Sequence, residues 1–101
     1  MDLPSDQDQS NRINQLIDTL RLEKHPEGGF YSETYRSNKK TANNEGVLMT
    51  SIYFLLTSED VSNFHMISND ELWFHHEGSP ISIHTLENGI HKEHILGKVY
   101  N

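Results

Sequence analysis

After its first quarter, the chain becomes a series of short aromatic and β-branched runs, each closed by turn-forming residues. Phe30–Arg36 is the first such run, followed by 47–56, 62–67, 71–76, 81–86 and Ile90–Leu96. Polar stretches at 37–46, 57–60 and 68–70 separate them, Gly78 and Pro80 close another, and Asn88-Gly89 is a two-residue hairpin signal. About six or seven strands at this spacing predict an antiparallel all-β barrel or jelly roll, an architecture that usually needs about eight. In Phe30–Arg36 the two-residue period puts Tyr31, Glu33 and Tyr35 on one face, with Phe30, Ser32, Thr34 and Arg36 on the other.

One helix precedes the strands. Ile13, Leu16, Ile17 and Leu20 recur at i, i+3, i+4 and i+7, an apolar stripe. Ser10 or Asn11 can cap its start, and Pro26 with Gly28-Gly29 prevents its continuation. Residues 1–10 are polar and rich in Asp, Gln and Ser, so they are expected to be a disordered tail, with the domain spanning 11–101.

With 101 residues the chain can form one domain, and its margin for burying a core is thin. The absence of cysteine excludes disulfides and thiolate metal sites, and fits a reducing compartment. A net charge of −7, with no basic run beyond Lys39-Lys40, makes nucleic acid a poor partner. The N-terminus, through Asp6, is too polar for a signal peptide. The longest apolar run, 52–56, is far short of a membrane span. The expectation is a soluble cytoplasmic domain without membrane or nucleic-acid partners.

The blocks His25-Pro26-Glu27-Gly28-Gly29-Phe30-Tyr31, Glu33-Thr34-Tyr35-Arg36-Ser37, Thr50-Ser51-Ile52-Tyr53-Phe54, Ser62-Asn63-Phe64-His65, Asp70-Glu71-Leu72-Trp73 and Gly78-Ser79-Pro80 follow one another in order. This succession resembles a family of small cupins that carries the label of a domain of unknown function, over about residues 13–97. The resemblance implies a cupin jelly-roll barrel with its binding site in the barrel mouth. The first cupin motif of the superfamily is matched at His65, at Glu71 and at Gly78. It is broken at Ile67, where the second histidine is expected, and at Glu59, where a glycine is expected. Members of the family continue through a second cupin motif. Because this sequence runs only to Asn101, it resembles a truncated member, with the far wall of the barrel expected to be missing or supplied by something else.

By that resemblance Glu71, Trp73 and His75 face the pocket, with His65 on the strand before. Two imidazoles and a carboxylate suit a divalent metal ion, so His65, Glu71 and His75 are metal candidates. Alternatively, His65 and Glu71 are pocket polar groups that hydrogen-bond each other and a ligand. His25 and Glu27 are either an acid/base pair or a glycine-shaped turn with His25 as a cap. Glu33, Tyr35 and Arg36 can orient a carboxylate or phosphate, or lie solvated on a strand surface. His84, His91 and His94 read as scattered surface imidazoles, and Tyr53, Phe54, Trp73 and Phe74 as mostly core.

Two functions suit these residues. One is a binding module for a sugar-like or other small polar compound, with His25, Glu27, Glu33, Tyr53 and Trp73 as ligand contacts. The other is an enzyme similar to the deoxysugar-nucleotide epimerases, with His65 or His75 as base, Glu71 beside it and Tyr35 or Tyr53 as acid. An open jelly roll exposes strand edges, so a homodimer is expected.

Overall fold

The computed structural model describes residues 5–40, 42, 46–64, 66 and 70–98. The chain is mostly β, with two antiparallel sheets and one helix, and divides into two compact units, Met1–Met66 and Ile67–Asn101. Among the described residues the strands do not close into a barrel.

The first unit opens with helix α1, Asp6–Leu20. Ser5 caps it, its Oγ accepting the Asp8 amide at 3.1 Å, and Asp6 and Asp8 in the first turn complement the positive end of the helix dipole. The helix therefore starts earlier than a cap at Ser10 or Asn11 would allow, and residues 6–10, assigned to the polar tail, form its first turns. Those turns carry no apolar face, so hydrophobic periodicity could not register them. The stripe itself is where expected: Ile13, Leu16, Ile17 and Leu20 are the helix's half-buried positions. Arg21 ends the helix in the left-handed region (φ 54°), and the Leu22 amide returns to the Ile17 carbonyl at 3.0 Å. Leu22 is buried immediately beyond.

Three strands follow in the order β1-β2-β3, all antiparallel: β1 Glu23–Lys24, β2 Phe30–Arg36 and β3 Thr50–Leu55. The two-residue β1 is too short to leave a sequence signal. The strand expected over 47–56 contracts to β3, with Val47 in an isolated bridge to Lys40. The β2–β3 register shifts between Glu33 and Tyr35. Two β2 residues, Thr34 and Tyr35, therefore lie opposite Ser51, a bulge. This overturns strict alternation along β2. Past the bulge, Tyr35 pairs with Ser51 and joins the face of Ser32 and Tyr53, while Arg36 pairs with Thr50 and joins the face of Glu33 and Ile52.

After β3 the backbone is irregular. No strand forms at the described residues of 62–67; instead the Asn63 amide donates to the Glu27 carbonyl at 2.7 Å, tying this segment to the turn before β2. Gly28 and Gly29 make that closeness possible. Both have positive φ (115° and 80°), and a Cβ on Gly28 would collide with the Val61 carbonyl oxygen.

The second unit contains a hairpin, β4 Ile81–Glu87 and β5 Ile90–Leu96. Asn88 (φ 52°) and Gly89 (φ 77°) make its two-residue turn, the pair of positive φ values a tight hairpin requires. Residues 71–76, expected to be a strand, pair with no other strand among the described residues. The aromatic core is likewise corrected. Phe54 is half-buried, but Tyr53, Trp73 and Phe74 are 43%, 38% and 75% exposed. Trp73 and Phe74 belong to no strand among the described residues, so no sheet packs them into a core, and Tyr53 stands on a face of the three-stranded sheet that leaves it uncovered.

Candidate functional site

The turn before β2 fixes His25 from several sides. Its amide donates to the Gly29 carbonyl at 2.8 Å, and the Gly28 amide donates back to the His25 carbonyl at 3.1 Å. The ring packs edge-on against Tyr31, with centroids 4.9 Å apart, and lies near-parallel to Phe54 at 5.2 Å. Nδ1 accepts the Glu27 backbone amide at 3.0 Å, so the proton of the neutral ring sits on Nε2. His25 and Glu27 therefore meet through ring and backbone, not ring and carboxylate. The geometry matches a turn more closely than an acid/base pair.

On the sheet, Glu33 holds Arg36 with two hydrogen bonds, Nε at 2.7 Å and the terminal nitrogen at 2.9 Å. The hydrogen bonds from the Arg36 guanidinium keep the Glu33 carboxyl below the usual carboxylate range, against an opposing desolvation, and the carboxylate raises Arg36 in return. Tyr35 and Tyr53 share the opposite face of the same sheet, both well exposed, and Thr34 meets Ser51 hydroxyl to hydroxyl at 2.6 Å. Glu33 and Tyr35, grouped on one face by the sequence, are thus on opposite faces.

His65 and Ile67 lie outside the described residues. In the second unit Glu71 accepts the Trp73 indole N–H at 3.0 Å. His75 turns toward Ser79, its Nε2 donating to the carbonyl at 3.1 Å, which leaves Nδ1 as the acceptor of the neutral ring. The imidazole lies directly against Gly97: a Cβ there would meet its Cδ2 and Nε2 at 2.9 Å, and Gly97 already has φ 116°. An open groove of about 470 Å³ runs beside this contact, lined by His75, His76, Glu77, Gly78, Gly97 and Lys98. Its volume is in the range of small-molecule sites. Glu71 and Trp73 do not line it, so their pairing with each other and the placement of His75 are separate features. Among the described residues no three or more His, Asp and Glu side chains are grouped to hold a metal ion.

The hairpin holds a cluster that the sequence reading scattered. His84 Nδ1 and His91 Nε2 are 2.9 Å apart, and Ser82 and Glu93 close the other side of His84. The Asn88-Gly89 turn contains the missing signal. A two-residue turn fixes the register, which sets His84 opposite Glu93 and Leu86 opposite His91.

No curated protein and no solved structure matches the chain. A family model does, over residues 14–101, and the chain belongs to the family it describes, Cupin_5 of the cupin superfamily (DUF985).

Proposed function

We propose that this cupin domain binds a small polar compound of sugar-like character, and that His75 is its central contact. The observation that carries the reading is the placement of His75. It is half-buried, pinned by the Ser79 carbonyl and by Gly97, in a groove whose other walls include His76, Glu77 and Lys98. Imidazole, carboxylate and ammonium groups around a cavity this small suit a compound dense in hydroxyls, which both donates and accepts. The fixed ring contributes affinity because little freedom remains to be lost on binding. The test is a thermal-shift screen of neutral and acidic monosaccharides against the chain and its His75→Ala variant. Compounds that stabilise the chain should lose that effect in the variant. Stabilisation that survives the substitution places the binding site elsewhere.

We further propose that a second copy of the chain covers the sheet of the first unit. β3 is an edge strand with no partner on its outer side among the described residues, and it carries exposed Ile52 and Tyr53. Such an edge favours pairing with another strand.

A further inference from the structure

On one face of the β4–β5 hairpin, four polar side chains form a chain of hydrogen bonds. The Ser82 hydroxyl donates to Glu93 Oε2 at 2.7 Å. A serine has a single hydroxyl proton, so toward His84 Nε2, 3.3 Å away, its oxygen can only accept. His84 Nε2 therefore carries a proton, with Glu93 Oε2 a further 3.4 Å from it. In the neutral ring Nδ1 is then bare, and it accepts from His91 Nε2 at 2.9 Å. The two rings are tilted by only 13° with centroids 5.1 Å apart, and they meet by their nitrogen edges. Register explains the meeting. His84 lies directly opposite Glu93, and His91 is its diagonal neighbour, which strand twist brings within reach.

We infer that His84 Nδ1 and His91 Nε2 form a two-nitrogen site for a divalent cation that takes ligands at right angles, copper(II) or nickel(II). His91 need only adopt its other neutral tautomer, with the proton on Nδ1, for both facing nitrogens to present lone pairs. Two nitrogens 2.9 Å apart, each about 2.0–2.1 Å from an ion, subtend about 90° there. That is the cis angle of a tetragonal site, which copper(II) and nickel(II) prefer. Tetrahedral zinc needs the nitrogens about 0.4 Å further apart. The rings aim their lone pairs by turning about the soft torsion next to the ring. Ser82 and Glu93 act as positioning groups, holding the His84 proton on Nε2 as outer-shell partners of metal-bound histidines do. The face favours a cation in two further ways. Glu93 supplies negative charge, and the hairpin's lysine, Lys92, pairs with Thr85 on the opposite face. Water completes the coordination, because no third protein ligand converges there among the described residues.

This site is separate from the His75 groove, and the test distinguishes them. Copper(II) is titrated into the full chain by calorimetry in a non-coordinating buffer, and the bound ion is examined by electron paramagnetic resonance. The expected result is one ion per chain with two nitrogens in its equatorial plane. His84→Ala and His91→Ala should each weaken binding by tenfold or more, and so should His91→Gln, which keeps a polar side chain on the strand. Glu93→Gln should cost about tenfold, as outer-shell substitutions do. His94→Ala, on the other face, and His75→Ala should change nothing. Affinity unaffected by both His84→Ala and His91→Ala, affinity lost instead in His75→Ala, or a spectrum without two equatorial nitrogens would overturn the inference.

Discussion

Arg36 reaches back three residues to grip Glu33 with paired hydrogen bonds of 2.7 and 2.9 Å, although alternation along a strand would set the two on opposite faces. The bulge opposite Ser51 makes the pairing possible, since the extra residue turns Arg36 onto the face of Glu33.

This pair leads to a prediction about pH. The Glu33 carboxyl is held below its ordinary range by Arg36. Its contribution to stability is therefore present above the unfolded-state pKa and is lost as pH falls through the folded value. Both side chains are solvent-exposed, so the contribution is small and shrinks with added salt. A carboxyl-detected NMR titration should show the Glu33 midpoint rising in Arg36→Gln. An identical midpoint in the two proteins would show that the contact is absent in solution.

The glycine pair before β2 yields a second prediction. Gly28→Ala puts a methyl group into the Val61 carbonyl and forces positive φ on a residue with a Cβ. Strained backbone of this kind costs about 1–3 kcal/mol before the collision is counted. Gly46 has open space around its Cα, so Gly46→Ala should stay within about 0.5 kcal/mol of the parent. Urea midpoints measure both. Equal midpoints for the two variants would mean that the Glu27–Gly29 turn does not pack against residues 61–63.

The third prediction concerns the open edge of β3. At micromolar concentration, light scattering after size exclusion should give twice the 11.7 kDa chain mass. Ile52→Lys places a charge on that edge strand and should return the monomer mass, because charged edge residues oppose strand pairing. A parent chain that runs as a monomer contradicts the proposed second copy.

The sequence made some of these features legible and hid others, for identifiable reasons. Phe30–Arg36 was readable to the residue because its aromatic and β-branched run is bounded by Gly29 and Ser37, and Asn88-Gly89 announced the hairpin. The helix stripe was readable, but Ser5 was not, because a polar first turn has no periodicity. The bulge at Thr34 was hidden, since composition does not mark where a ladder slips, and it separated Tyr35 from Glu33. Residues 71–76 have strand-like composition yet pair with no described strand, which exposes Trp73 more than a core aromatic would be. His75 entered as a pocket candidate by strand alternation from Glu71, under the cupin resemblance. Its neighbours Gly97 and Lys98 come from the far end of the hairpin, and sequence distance concealed them.

The proposed ligand is a small polar compound seated in the groove against His75. Heteronuclear NMR of the imidazole side chains and glycine amides, with a neutral sugar that stabilises the chain in the thermal screen, tests it most directly. The His75 ring resonances and the Gly97 amide should shift together and saturably, and Gly97→Ala, whose Cβ would meet the ring at 2.9 Å, should weaken binding at least tenfold. Saturable binding that leaves both His75 and Gly97 unmoved would contradict it.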